Sequence, residues 1–371
     1  MDVGKAPDDL AATYRSLPRE NRTGLVRLFL LRGVERNPSN VVSLTARTFG
    51  LSRQAVTRQV ETLVTSGLLE VSGVKRGRVY KLREIARHRE FFEVSPNLHE
   101  DEVWTQHFAD HIADLPDSVK RICYYGFTEM LNNVIDHSES SRVSLILTRN
   151  AIRLEIDFHD YGVGIFNKIR QAGKLETPRI AVFELTKGKF TTDPARHTGE
   201  GIFFTSRMFD SFAILSGDFY LSHDRGKEDW LLESRRDRPL GTSVFLQIDP
   251  HTTHTVEEVL THYATEQDDY AFNRTKIAIK LAIAEGEQLV SRSQSKRISA
   301  RLEKFKEVIL DFQGIGTIGP GFADELFRVF RTHHPHVTLI PINTNEEVTR
   351  MIRRAEDSGG FDNSDIRSNG Q

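Results

Sequence analysis

Apolar positions recur along the chain at two periods. From Asn21 the pattern is helical, with Leu25, Val26, Leu28, Phe29, Leu30 and Leu31, until Asn37-Pro38-Ser39-Asn40 breaks it. Residues 41–49 continue in the same way to Gly50. A further helix opens at Ser52, a good N-cap, and carries Ala55, Val56, Val60, Leu63 and Val64 to a stop at Gly67. Leu68–Val71 and Arg78–Leu82, separated by a Ser/Gly/Lys/Arg turn, predict a hairpin. Residues 84–97 show no dominant period and read as a connector. Glu100–Ala113 is amphipathic, and residues 127–138 are helical. Strands are predicted at 142–149 and 151–158, and near 212–216, 217–222, 229–233 and 242–248. A linking helix covers 251–271. Beyond it, strands at 276–281, near 287–291, at 307–312 and at 337–340 alternate with helices at 293–305, 321–330 and 346–354, which argues for a small α/β layer. The ends, 1–18 and 357–371, read as a flexible and a disordered tail.

Composition narrows the class. A length of 371 residues suggests two or three domains, and 38% hydrophobic with 27% charged residues is the balance of a soluble globular protein. No apolar run would span a bilayer, and the polar N-terminus carries no signal peptide, so a cytoplasmic protein with no membrane partner is expected. Cys123 is the single cysteine and reads as a small core residue in a reducing compartment. The net charge of −2 is unevenly spread: residues 19–83 hold thirteen Lys/Arg against four Glu, a local excess of nine that suits phosphates.

Candidate chemistry concentrates in the middle third. Glu129, Asn133 and Asp136/His137 fall at i, i+4 and i+7/i+8, one stripe of a helix whose Met130, Leu131, Val134 and Ile135 lie largely on the other side. The strand 151–158 runs into Asp160-Tyr161-Gly162-Val163-Gly164, a turn where the backbone can approach a ligand. Thr198-Gly199-Glu200-Gly201 repeats the glycine spacing before a helical run, and offers backbone N–H groups to an anion. Gly241-Thr242 opens the last strand. His107 and His111 are spaced for a metal, but no third ligand is evident, and a surface pair is the better reading.

Residues 19–83, and Leu51–Val60 above all, resemble the winged helix-turn-helix of bacterial repressors. The resemblance implies DNA binding, with Arg53, Gln54, Thr57 and Arg58 toward the major groove and Lys75, Arg76 and Arg78 in the wing. A winged helix used for protein contacts is the other use of the same fold. Residues 98–250 resemble the GHKL ATP-binding fold of type II topoisomerases, heat-shock chaperones, sensor histidine kinases and mismatch-repair ATPases. Glu129/Asn133/Asp136/His137 match its N box, Asp160-x-Gly162-x-Gly164 and Gly199-x-Gly201 its glycine boxes, and Gly241-Thr242 its closing pair. Residues 272–356 resemble STAS-like domains, relatives of anti-anti-sigma factors, on Val308–Ile315 and Phe322–Leu326. The serine that accepts phosphate in those relatives is missing, and only Thr317 has a hydroxyl nearby.

The expected fold class is therefore α+β multidomain: a winged helix, a GHKL α/β sandwich with a mixed sheet and helices on one face, and a small STAS-like α/β domain. The GHKL resemblance implies ATP and Mg²⁺ as ligands. In it Asp160, supported by Thr242, accepts from the adenine amino group, Asn133 ligates magnesium, and Glu129 is the general base. Asp136, His137 and Thr198, with the four box glycines, complete the site. His137 reads equally well as a helix-end residue. The interval 165–198, with Lys174, Lys187 and Lys189, is the lid of such domains. The function expected is an ATP-responsive DNA-binding regulator, homodimeric, with a possible protein partner at the STAS-like domain. The alternative is an anti-sigma-type serine/threonine kinase with a fused substrate domain, its acceptors being Thr317, Ser291 or Ser293.

Overall fold

The computed structural model describes residues 7–191, 198–227, 229–233, 240–264, 271–283 and 287–358. It is a mixed α+β chain. Helices α1 (Pro7–Ser16), α2 (Arg19–Arg36), α3 (Val41–Phe49) and α4 (Arg53–Thr65) lead into an antiparallel hairpin, β1 (Leu69–Ser72) and β2 (Val79–Leu82). Ser52 caps α4 by accepting the Ala55 amide at 3.1 Å. Leu25, Leu30, Val56, Val60 and Leu69 close a small separate core. The tail expected at 1–18 is instead helical from Pro7: Leu10 is buried in that core, and Tyr14, one turn on, meets Phe49 at 5.2 Å between rings. Two apolar residues at i and i+4 are too few to announce a helix by periodicity. The expected C-terminal tail, 357–371, lies outside the described residues from 359 onward.

The connector expected at 84–97 is instead β3 (Ala86–Glu93), an edge strand of the central sheet paired along its whole length with β4. Its inward positions are Ala86, His88, Glu90 and Phe92, and the two polar ones mask the alternation. Next come α5 (Glu100–Val103), whose chain widens into a π turn at Trp104–Phe108 and tightens into a 3-10 turn at Ala109–Ile112, and α6 (Asp117–His137). Then follow β4 (Arg142–Arg149), β5 (Leu154–Asp160), α7 (Ile165–Ala172), α8 (Pro178–Lys187) and α9 (Gly201–Met208). The sheet is completed by β6 (Ser211–Ser216), β7 (Phe219–Asp224), β8 (Trp230–Glu233) and β9 (Thr242–Ile248). Strand order is β3-β4-β5-β9-β6-β7-β8. Every pairing is antiparallel, not mixed as expected, because β9 inserts between the parallel strands β5 and β6. Buried residues of α6 recur at 119, 122, 123, 126, 127, 130, 131 and 134, the spacing that turns one face onto the sheet. Phe127 joins Phe108 and Phe158 there, with rings 5.0 and 5.4 Å apart.

Helix α10 (Val256–His262) is shorter than the linking helix expected at 251–271 and opens with a capping box at Thr255 and Glu258. A parallel sheet follows in the order β10 (Arg274–Ala278), β11 (Glu307–Asp311), β12 (Thr338–Ile342). It is flanked by α11 (Arg292–Ser299), α12 (Pro320–Ala323), α13 (Arg331–His333) and α14 (Glu346–Asp357). The short strand expected near 287–291 is reduced to one bridge, Leu289 to Ile318. Phe272 stacks on Phe203 at 4.4 Å and meets Phe204 and Phe305 at 5.0 and 5.2 Å, so the aromatic core continues from the central unit into the C-terminal one. Among the described residues no helix is long and apolar enough to cross a membrane.

Candidate functional site

A cavity of about 340 Å³ opens between α6, the turn after β5, α7, and the N-terminus of α9. Its size suits a small-molecule ligand. Tyr125, Met130, Ile165, Ile169, Leu185 and Ile202 give it apolar walls. Glu129, Asn133, His137, Asp160, Lys168 and Thr242 give it convergent polar groups.

Asp160 ends β5 and is 5% exposed. Its Oδ1 accepts the backbone amides of Gly162 at 2.9 Å and Thr242 at 3.2 Å. Burial pushes its carboxyl above the ordinary carboxylate range, against the pull of those donors. Thr242 Oγ1 accepts from the Ile165 amide at 3.0 Å, which pins the start of α7 to β9. The turn is closely packed. A side chain on Gly162 would overlap the backbone of Ser138, and Gly164 has φ +81, a conformation that favours glycine.

At the other end α6 presents Glu129, Asn133 and His137 along one stripe, all half-buried. Asn133 Nδ2 donates to the Glu129 carbonyl at 2.7 Å, so the amide oxygen is the end of that side chain left to accept or to ligate. Asp136 is half-buried but is not among the residues lining the cavity. Gly201 abuts Glu129 so closely that a Cβ would overlap its carboxylate. Gly199 has φ +76 and packs on the backbone of Phe190. Thr198 lines the cavity, and its hydroxyl bonds the Glu200 carboxylate. Arg196 and His197 lie outside the described residues. Among the described residues no group of three or more His, Cys, Asp or Glu could hold a metal. His107 instead pairs with Glu90 of β3 at 2.8 Å, and His111 stacks on His88 at 4.8 Å.

Three ionisable lining residues escaped the sequence reading. Lys168 sits one turn into α7 and pairs with Glu139; its place four residues after Gly164 was the available signal. Glu200 is raised by burial against the lowering effect of Lys189. The Tyr125 hydroxyl is pushed well above its ordinary value by burial, with the Glu129 and Glu200 carboxylates adding to it.

Two of the lysines expected in a lid, Lys187 and Lys189, are tied to the C-terminal unit, while Lys174 is exposed. Lys187 is 1% exposed; its Nζ meets Glu184 Oε1 at 2.6 Å and donates to the carbonyls of Ala300 and Arg297 at 2.9 and 3.3 Å. Arg301 completes the cluster on Glu184 Oε2 at 2.9 Å and lies 4.4 Å over the ring of Phe190, a cavity residue. Lys189 donates to the Lys304 carbonyl at 3.0 Å, and burial holds it below its ordinary value despite Glu200. One cavity wall is thus fastened to the C-terminal unit.

Residues nominated for DNA lie on α4 and at the β1–β2 hairpin, and none of them lines this cavity. Arg53, Gln54 and Arg58 are exposed on α4, while Thr57 is half-buried and bonds back to the Arg53 carbonyl at 2.8 Å. Lys75 and Arg78 are exposed at the hairpin tip; nothing is described of the Arg76 side chain. A wide cleft of about 810 Å³ near α10 holds further cations, but Arg207 already pairs with Asp229 at 3.2 Å and Lys276 with Asp311 at 2.9 Å. No curated protein matches the chain. Residues 294–349 match the family described as a STAS-like domain of unknown function (DUF4325), in agreement with the resemblance of the C-terminal unit.

Proposed function

We propose that the chain is an ATP-binding, DNA-binding regulator in which Mg-ATP in the central cavity alters the geometry of paired DNA-binding heads. The observation that carries this reading is the cavity itself: a buried carboxylate at one end and an Asn/Glu/His stripe at the other. The GHKL and winged-helix resemblances support it.

In this reading Asp160 takes the exocyclic amino group of adenine. Its Oδ1 is already held by two backbone amides, so the carboxylate is fixed as an acceptor for the base. The apolar walls receive the ring. Magnesium supplies charge neutralisation at the phosphates, and a site with few protein ligands suits an ion that keeps most of its waters. Asn133, its nitrogen tied to the helix, presents its amide oxygen toward that position. The backbone around Gly199 and Gly201 and the Lys168 ammonium receive phosphate oxygens. Glu129 orients a water for attack on the terminal phosphorus. On the head, Arg53, Gln54 and Arg58 read bases, and Lys75 and Arg78 hold phosphates.

Calorimetric titration with ATP in magnesium, followed by a mobility-shift titration with and without nucleotide, tests both halves. No DNA binding at low salt, or no heat with ATP, overturns the corresponding half. The kinase alternative draws on two exposed hydroxyls of the C-terminal unit, Thr317 and Ser293; Ser291 is occupied in capping α11 through the Gln294 amide at 3.2 Å. Mass spectrometry after incubation with labelled ATP separates the two readings.

A further inference from the structure

Helices cover one face of the seven-stranded sheet; on the opposite face the outward side chains of β3, β4, β5 and β9 join neither apolar core among the described residues. Strand registers align those side chains in rows. One row runs Arg89, Ile146, Asp157, Phe245 across β3, β4, β5 and β9. The row on one side runs Arg87, Thr148, Glu155, and that on the other runs Phe91, Ser144, His159. Phe91 is 54% exposed, and Ile146 and Phe245 are half-buried without joining either apolar core. Apolar side chains in the middle of an open sheet, with charges interleaved, are the make-up of an interface.

The charges on this face lack strong partners. Among the described residues Asp157 makes no ion pair, and its carboxyl is pushed up to about 6 by burial and by neighbouring Glu155. Arg89 has no carboxylate partner there and lies 4.9 Å over the Phe91 ring. Arg87 and Glu155 have only loose ion pairs, at 3.5 Å with Glu84 and 3.7 Å with Arg153, and Glu155 Oε2 also accepts from Thr148 Oγ1 at 3.1 Å.

The pattern is complementary to itself. Strand β4 lies between β3 and β5, so a two-fold axis parallel to β4, above this face, lays the β3 side of one molecule on the β5 side of another. Arg89, Ile146 and Asp157 share a row, so this operation sets Arg89 over Asp157 twice and Ile146 over its own copy. It also sets Arg87 over Glu155. We propose that a second copy of this chain docks on this sheet face, face to face, with the two-fold axis parallel to β4 and midway between the two sheets. Packed sheets lie about 10 Å apart, a gap that Arg and Asp side chains bridge together. Such an interface is isologous and closed, as a two-fold dimer requires. Glu155 and Asp157 in the same rows disfavour a nucleic acid there. The pairing uses no nucleotide, so it stands or falls apart from the functional reading above.

Sedimentation velocity on the full chain tests it. The parent is expected at twice the 42.3 kDa chain mass at micromolar concentration. Arg89→Asp and Asp157→Arg should each weaken the dimer at least about tenfold, and the double swap should restore it, a rescue that misfolding cannot imitate. Ile146→Cys with a short bismaleimide should yield covalent dimers, whereas native Cys123 is buried and silent. A monomeric parent, single reversals that leave the dimer intact, or a folded double swap that stays monomeric overturns the proposal. So does a protein whose Arg89→Asp loses nucleic-acid binding while every form is a monomer.

Discussion

Asp160→Asn separates the fold of the cavity from its ligand chemistry. Asparagine keeps an Oδ1 that can accept the amides of Gly162 and Thr242 at 2.9 and 3.2 Å, so the turn after β5 survives. It replaces the second acceptor oxygen with an N–H₂ donor. A ligand amino group then faces a donor, and leaving it unpaired costs about 1–3 kcal/mol, or roughly 5- to 150-fold in Kd. Stability without ligand moves the other way. Burial raises the Asp160 carboxyl, so the stability tied to its protonated form is present at low pH and is lost as pH rises through its folded value. At neutral pH the parent therefore carries a buried charge that asparagine removes. The variant should melt at or above the parent temperature while its ATP affinity falls. Calorimetry with Mg-ATP and differential scanning calorimetry without ligand measure the two quantities. Unchanged affinity refutes Asp160 as the base-recognising acceptor, and a sharp fall in melting temperature shows its role to be structural.

Glu129→Ala should keep ATP binding within a few-fold and lose phosphate release, since the base acts only in the transition state; parent-rate release removes Glu129 from that role. Lys187→Met leaves Glu184, 2% exposed, with Arg301 alone, and should cost about 3–5 kcal/mol by denaturant titration. Adding Glu184→Leu should recover more than half of that loss, and no recovery would contradict a buried-pair cost. Lys75→Ala with Arg78→Ala should weaken DNA binding and flatten its dependence on salt by about one unit of log–log slope for each phosphate no longer neutralised; an unchanged slope removes these residues from the phosphate contacts. Asp157→Asn should stabilise dilute, monomeric protein above pH 6 and leave it unchanged near pH 4, because the raised carboxyl loses its stabilising protonated form between the ordinary aspartate value of 3.8 and about 6. A melting-temperature series against pH reads that crossing.

How much was legible in sequence depended on whether one period dominated a segment. The polar stripe and apolar positions from Phe127 onward mark the second half of α6, which begins ten residues earlier at Asp117, and Asp160 and its glycines stand out because a strand ends on them. Strand β3 was hidden because His88 and Glu90 occupy inward positions of an edge strand, where partial exposure tolerates polar groups. Helix α1 was hidden because Leu10 and Tyr14 alone anchor it. Lys187 looked like a lid residue because lysine is rarely buried; its partners Glu184, Arg297 and Ala300 come from the same turn and from a stretch more than a hundred residues away. The C-terminal unit was readable from the alternation of strand and helix, the local pattern that a parallel layer demands.

The ring of Phe272 has a consequence for where this protein can be divided. Composition places a seam at 251–271, and a chain cut there would look like two autonomous pieces. Phe272, from the far side of that seam, fills the space beside Phe203 and Phe204, whose helix opens at Gly201 against Glu129. Severing the chain would bare a cluster of aromatic faces directly behind the cavity wall, on the helix that also sets the position of Glu129. The central and C-terminal units therefore form one cooperative block, and an insertion or recombination that respects the compositional seam would loosen the cavity from behind.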